Sequence, residues 1–254
     1  MNRYSSSRRE ERESLYLRCK PGDVAPLVLI SGDPARVDRT AALLNGARHV
    51  RHNREFAVVT GEYGGVPVTV ASGGIGAPST AIALHELAEL GARAAVRIGT
   101  MMGVGAPLGS VVVATGAARF EGTSPRYLPL AYPAIPDWSL THCLAEAGQA
   151  AGLDVRLGVT ATYDAFYPDM APSLIGAGTL DLSEVQRAGV LSLDMETSLV
   201  FVAGMVLGLA SGAMCLVTVQ AEPHRQLDAE TRASLDERLV RAALDGLVKF
   251  GEKL

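Results

Sequence analysis

The stretch Ser72-Gly73-Gly74-Ile75-Gly76-Ala77-Pro78-Ser79-Thr80-Ala81-Ile82-Ala83-Leu84-His85-Glu86-Leu87 decides the fold. Val66-Pro67-Val68-Thr69-Val70 before it is short and rich in β-branched residues, which predicts a strand. Gly73, Gly74 and Gly76 allow a sharp backbone turn and a close approach to it. Pro78 suits the first turn of a helix, where its missing N–H costs nothing. Ala81, Ile82, Leu84, Ala88 and Leu90 then give that helix a buried face. A strand, a glycine turn and a helix N-terminus together make a general anion-binding geometry. The same pattern also serves as a tight turn whose glycines matter only for packing, and both readings stay open.

On the N-terminal side, Leu27-Val28-Leu29-Ile30 is a continuous apolar run and reads as a buried strand. Ser31-Gly32-Asp33-Pro34-Ala35-Arg36 follows, with Asp33 as N-cap and Pro34 as first helical residue. Val37, Ala41, Leu43 and Leu44 form the apolar face of this helix, and Gly46 is expected to end it. Arg36 lies in its first turn, where a cation opposes the helix dipole. An anion between Arg36 and the turn would account for it; a solvated surface arginine is the alternative. His52-Asn53-Arg54-Glu55-Phe56 precedes a strand at Ala57-Val58-Val59-Thr60, and Arg54 alone reads as a solvated loop cation.

On the C-terminal side, Ala94-Ala95-Val96-Arg97-Ile98-Gly99-Thr100 reads as a strand carrying an arginine. A cation inside an apolar strand is costly unless an anion pairs with it, and that anion can be a ligand or a buried carboxylate. Further strands are expected at Ser110–Ala114, Val155–Thr160 and Met214–Val219. Asp137 caps a helix through Leu140, Leu144 and Ala147 that Gly152 stops. Phe166, in Asp164-Ala165-Phe166-Tyr167-Pro168, can stack on a flat ring or fill the core. Leu193-Asp194-Met195-Glu196-Thr197 opens an apolar helix, where Glu196 could act as a plain dipole-favoured cap. Residues Asp228 to Leu254 form an amphipathic helix with Leu235, Leu239, Ala242, Ala243, Leu247 and Phe250 on one side.

The chain has 254 residues, 48% of them hydrophobic, which suits one large α/β domain with a sizeable core. Residues 1–14 are expected to be a flexible N-terminal arm and 15–254 a single domain. Alternating strands and helices predict a three-layer α/β/α arrangement around a central mixed sheet. A formal net charge of −4 without a basic face argues against nucleic acid as partner. No apolar run is long enough for a membrane span, and the polar start is not a secretory signal. Cys19, Cys143 and Cys215 are widely separated and lack metal spacing, so reduced thiols in a cytoplasmic protein are expected.

The opening stretch resembles the signature of the nucleoside phosphorylase family that includes uridine phosphorylase and the hexameric purine nucleoside phosphorylases. The match covers the spaced glycines, Pro78-Ser79, Ile82 and Glu86-Leu87. It extends from about Leu15 to the C-terminus and implies the phosphorylase fold, a homo-hexamer built as a trimer of dimers, and phosphate-dependent cleavage of an N-glycosidic bond. By resemblance, phosphate is held by Gly32, Arg36, Arg97, Thr100 and a neighbouring subunit's Arg54. The sugar is held by Met195 and Glu196 with Thr100, and Tyr16 reaches its 5′-hydroxyl across the dimer. Arg97 and Glu196 are the expected catalytic residues. Phe166 stacks on the base, and Gln220 offers it an amide. No cofactor or metal is implied, since inorganic phosphate is a co-substrate.

The chain departs from the family at the base. Met101-Met102 stands where small residues are usual, and is expected at the mouth of the pocket. Met170 and Pro172 occupy the places of the usual pyrimidine-reading glutamine and arginine, and Gln220 that of the usual purine acid. The loops around Pro125 and Glu184-Val185-Gln186 resemble the uridine phosphorylase side, so uridine is the leading substrate. The alternatives are a purine nucleoside phosphorylase, a nucleosidase of the same fold, and a non-catalytic nucleoside-binding member.

Overall fold

The computed structural model describes residues 13–166, 182–221 and 223–254. Residues 1–12 of the expected arm, and Met170 and Pro172, lie outside them. Among the described residues, ten strands form one mixed sheet: β1 (Leu27–Ser31), β2 (Asn45–Asn53), β3 (Phe56–Tyr63), β4 (Val66–Ser72), β5 (Ala94–Gly103), β6 (Val111–Phe120), β7 (Val155–Tyr163), β8 (Ser192–Asp194), β9 (Ala210–Gln220) and β10 (Arg225–Gln226). The helices are α1 (Pro34–Ala41), α2 (Ala77–Glu89), α3 (Trp138–Ala150), α4 (Leu182–Arg187), α5 (Thr197–Leu207) and α6 (Ala229–Gly251).

Strand alternation produces the three layers. Leu27, Leu29, Val96, Ile98, Met214 and Leu216 point to one face, which α1, α3 and α6 cover with Val37, Leu140, Leu144, Leu239 and Leu247. Val28, Ile30, Ala95 and Ala213 point to the other, covered by α2 and α5 with Leu84, Leu87, Leu199 and Phe201. The strand order is β10-β9-β6-β7-β8-β5-β1-β4-β3-β2, and a further β5–β9 pairing closes β5, β9, β6, β7 and β8 into a ring. Met101, Val112, Cys215 and Val217 pack together within that half of the sheet.

One expectation changes, and one strand is added. The first helix ends at Ala41, and Gly46 lies inside β2 at φ 60° rather than at a helix terminus. β2 itself carries no apolar alternation: eight of its nine residues are at least partly exposed, and only Val50 is buried. It is an edge strand held by its antiparallel ladder with β3, so backbone pairing forms it rather than a hydrophobic pattern.

Candidate active site

β1 runs parallel to both β4 and β5, with Ser31 level with Ser72 on one side and Ile98 on the other. The carboxyl ends of three strands therefore meet, the place where open α/β sheets bind ligands. Gly32 follows β1 so closely beside the glycine turn that a Cβ there would sit 3.2 Å from the Gly74 carbonyl oxygen. Gly74 has φ 71°, and a Cβ would lie 2.4 Å from Ser79 Oγ, so only glycine fits.

Gly76 is the N-cap of α2 and Glu196 the N-cap of α5, and neither helix start is capped by its own side chain. Instead the two ends converge on one carboxylate. Gly76 N–H donates to Glu196 Oε1 at 2.6 Å, and Arg97 Nη2 donates to Glu196 Oε2. The plain-cap reading of Glu196 is therefore replaced by a cross-fold contact. Arg97 is 7% exposed; its Nη2 also lies 3.2 Å from Asp194 Oδ2, and its Nη1 donates to Cys215 Sγ at 2.7 Å. Burial by itself would lower the Arg97 pKa, but the Asp194 and Glu196 carboxylates beside it outweigh burial and hold the guanidinium charged. Burial pushes Asp194 above the ordinary carboxylate value, against the pull of Arg97. Burial also raises the Cys215 thiol to about 11, so it stays protonated and serves as a neutral neighbour.

Arg36 is not a solvated surface residue. Its Nε and Nη2 donate to Asp236 of α6 at 3.1 and 2.9 Å, and its Nη1 donates to Ser31 Oγ at 3.0 Å. A guanidinium has five N–H groups, so this arrangement leaves N–H capacity on both Nη atoms for an anion. Thr100 lies half-buried further along β5. Met195, between the two carboxylates, is partly exposed.

Tyr16 and Arg54 make no hydrogen bond or ion pair with Arg97 or Glu196 among the described residues. They pack on each other, with the Arg54 guanidinium 5.8 Å from the Tyr16 ring centre. Arg54 adopts φ 56°, unusual for a residue with a side chain. Glu86 of the opening stretch holds this patch in place, accepting the backbone N–H groups of Tyr16 and Leu17 at 2.9 and 2.7 Å.

The residues expected at the base lie at the ends of β5, β7 and β9. Phe166 and Met102 pack in one cluster with Tyr163 and Ala221, and the Phe166 and Tyr163 ring centres are 6.1 Å apart. Gln220 Nε2 donates to the Gly103 carbonyl at 3.4 Å. A β-bulge separates the two methionines. Met101 is buried inside the ring of strands and accepts Ser192 Oγ at 3.1 Å, so only Met102 joins the aromatic cluster. The expectation that both line the pocket mouth is corrected on this point.

Sequence reasoning missed Asp236, Cys215 and Asp194 as partners of the two buried arginines. Asp236 is one acid among several on a long helix, and Cys215 one apolar residue in a strand. Asp194 carried a usable signal, a second carboxylate two residues before Glu196. The loop around Pro125 is also ordered by residues that no motif singled out. Arg119 donates to the carbonyls of Leu128, Pro129 and Tyr132, and Glu121 accepts Ser198 Oγ at 2.9 Å at the start of α5.

These elements define a three-layer α/β protein with two buried arginines and a glycine turn at its strand ends. The chain belongs to the phosphorylase superfamily, whose family model matches residues 26–249. It is 39% identical over 216 residues to a uridine phosphorylase of Thermococcus kodakarensis, covering 82% of this chain and 78% of the relative. It is 36% identical to a guanosine phosphorylase of Halorubrum lacusprofundi, covering 88% and 90%. Among solved structures, purine nucleoside phosphorylase from Toxoplasma gondii in complex with immucillin-H superposes with a TM-score of 0.86 at 26% identity, covering 96% and 98%. Uridine phosphorylase from Vibrio fischeri gives 0.81 at 29% identity, covering 94% and 97%.

Proposed function

We propose that this chain is a nucleoside phosphorylase, a pentosyltransferase that uses inorganic phosphate to release a free base and (deoxy)ribose 1-phosphate, with uridine the leading substrate. The observation that carries this reading is the convergence of three separated motifs on the Glu196 carboxylate: Gly76 from the glycine turn, Arg97 from β5 and the start of α5. The uridine phosphorylase relatives support the choice of substrate.

In this reading Arg36, Arg97, Gly32, Thr100 and a neighbour's Arg54 bind phosphate, which attacks the anomeric carbon. As the glycosidic bond breaks, positive charge develops on the sugar, and the phosphate held on one side stabilises it. Glu196 accepts the 2′- and 3′-hydroxyls and fixes the ring for attack, with Met195 packed against the sugar. Phe166 stacks on the base, and Gln220 offers it hydrogen bonds. Tyr16 and Arg54 share a patch apart from Arg97 and Glu196, which suits residues that serve a neighbour's site. We therefore also propose a homo-hexamer, built as a trimer of dimers, acting in the cytoplasm. The set of residues asks for no cofactor or metal.

A nucleosidase of the same fold would use water, which needs no cradle of arginines. The test is incubation with uridine, thymidine, inosine and adenosine, with and without phosphate, assaying free base and pentose 1-phosphate. Base release independent of phosphate would overturn the phosphorylase reading in favour of hydrolysis. No base release from any of them would favour the non-catalytic alternative.

A further inference from the structure

We propose that Asp194 is a positioning residue: it is the resident counter-ion of Arg97, and by holding that guanidinium it frees the Glu196 carboxylate to turn to the sugar hydroxyls. This rests on the reading above, in which Arg97 binds phosphate and Glu196 binds ribose.

The two carboxylates share one nitrogen of Arg97 but are tethered very differently. Asp194, with a side chain only 1% exposed, accepts Thr162 Oγ1 at 2.8 Å, the Thr197 backbone N–H at 3.2 Å and the Thr197 hydroxyl. Thr162 Oγ1 in turn accepts the Ser198 N–H at 2.9 Å, which ties β7 to the first turn of α5. Every one of these donors belongs to the scaffold, so Asp194 is fixed whether or not substrate is bound. Among the described residues, Glu196 has only the Gly76 N–H and Arg97 itself.

A buried cation must keep an anionic partner. With Asp194 in place, Arg97 retains one when Glu196 accepts the sugar and when phosphate leaves. Without it, Glu196 is the remaining carboxylate on Arg97, and the pair closes on itself at the expense of the sugar. The consequence is directional: loss of Asp194 weakens ribose recognition, while Arg97 still keeps one carboxylate and its contact with phosphate is not weakened.

The test uses Asp194→Asn, which keeps the side-chain shape, with kcat and KM measured for uridine, 2′-deoxyuridine and phosphate. The expected result is a fall in kcat/KM for uridine of about tenfold, the scale of one weakened charge-assisted hydrogen bond. The uridine to 2′-deoxyuridine ratio should fall about threefold or more, since part of the loss falls on the 2′-hydroxyl contact, and the phosphate KM should not rise. Thr162→Val, which removes one fixed donor, should move the ratio the same way by less, and decides the matter if the Asp194 variant does not fold. Glu196→Gln is the control. If it leaves the ratio unchanged, the ribose role of Glu196 fails, and this proposal with it. If Glu196→Gln lowers the ratio while the Asp194 and Thr162 variants do not, or if phosphate KM rises in step with uridine KM, Asp194 has only a structural role and the proposal is overturned.

Discussion

Replacing Arg97 by alanine should destabilise the protein in a pH-dependent way. The guanidinium contacts Glu196 and lies 3.2 Å from Asp194, and these residues are 6% and 3% exposed. Removing it leaves two buried carboxylates without their cation, and breaking a buried pair from one side costs about 3–5 kcal/mol. Against a total stability of about 5–15 kcal/mol the variant still folds, but its Tm should fall by roughly 6–20 °C for a chain of this size. Burial already holds Asp194 above the ordinary carboxylate value, and losing Arg97 raises it further. A carboxylate whose folded-state pKa is raised binds its proton more tightly in the native state than in the unfolded one. Stability therefore falls as pH rises from the unfolded pKa through the folded one. The Tm deficit relative to wild type should be smaller at about pH 5 than at about pH 8. Thermal denaturation followed by circular dichroism at both pH values measures this. An equal deficit at the two, or none at either, would refute the buried-charge argument.

Arg36→Ala should raise the phosphate KM about tenfold to a hundredfold, from a lost charge-assisted contact of about 1.5–3 kcal/mol. It should stay folded, since Arg39 lies 3.7 Å from Asp236 and can take over that carboxylate; an unchanged phosphate KM in the folded variant would remove Arg36 from the phosphate site. Mixing an Arg54→Ala chain with an inactive Glu196→Ala chain should restore activity, because some hybrid sites carry neither defect. No recovery in a mixture shown to contain hybrid oligomers would rule out a shared site. Base selectivity should be modest, because Met102 and Phe166 offer apolar packing rather than hydrogen bonds. A kcat/KM preference for uridine over inosine above roughly 10⁴-fold, the range of a fully hydrogen-bonded site, would show that a base reader exists elsewhere.

The sequence by itself determined the parts of this protein that local chemistry specifies. The Ser72–Leu87 stretch announces its strand, turn and helix, because glycine at positive φ and proline at a helix start are constraints within a few residues. Leu27–Ile30 and Ala94–Thr100 read as buried strands for the same reason, and Arg97 stands out as a cation among apolar neighbours. What the tertiary structure decided is which partners these residues find. Asp236 reaches Arg36 from 200 positions away, and Glu196 reaches Arg97 across 99. Neither distance leaves a periodic trace in the chain. The two methionines at 101 and 102 look alike in sequence; strand alternation sends them to opposite faces, and only the closure of the strands into a ring makes one of those faces interior and the other the aromatic cluster. β2 was illegible because an edge strand is held by backbone hydrogen bonds, and those carry no side-chain signature.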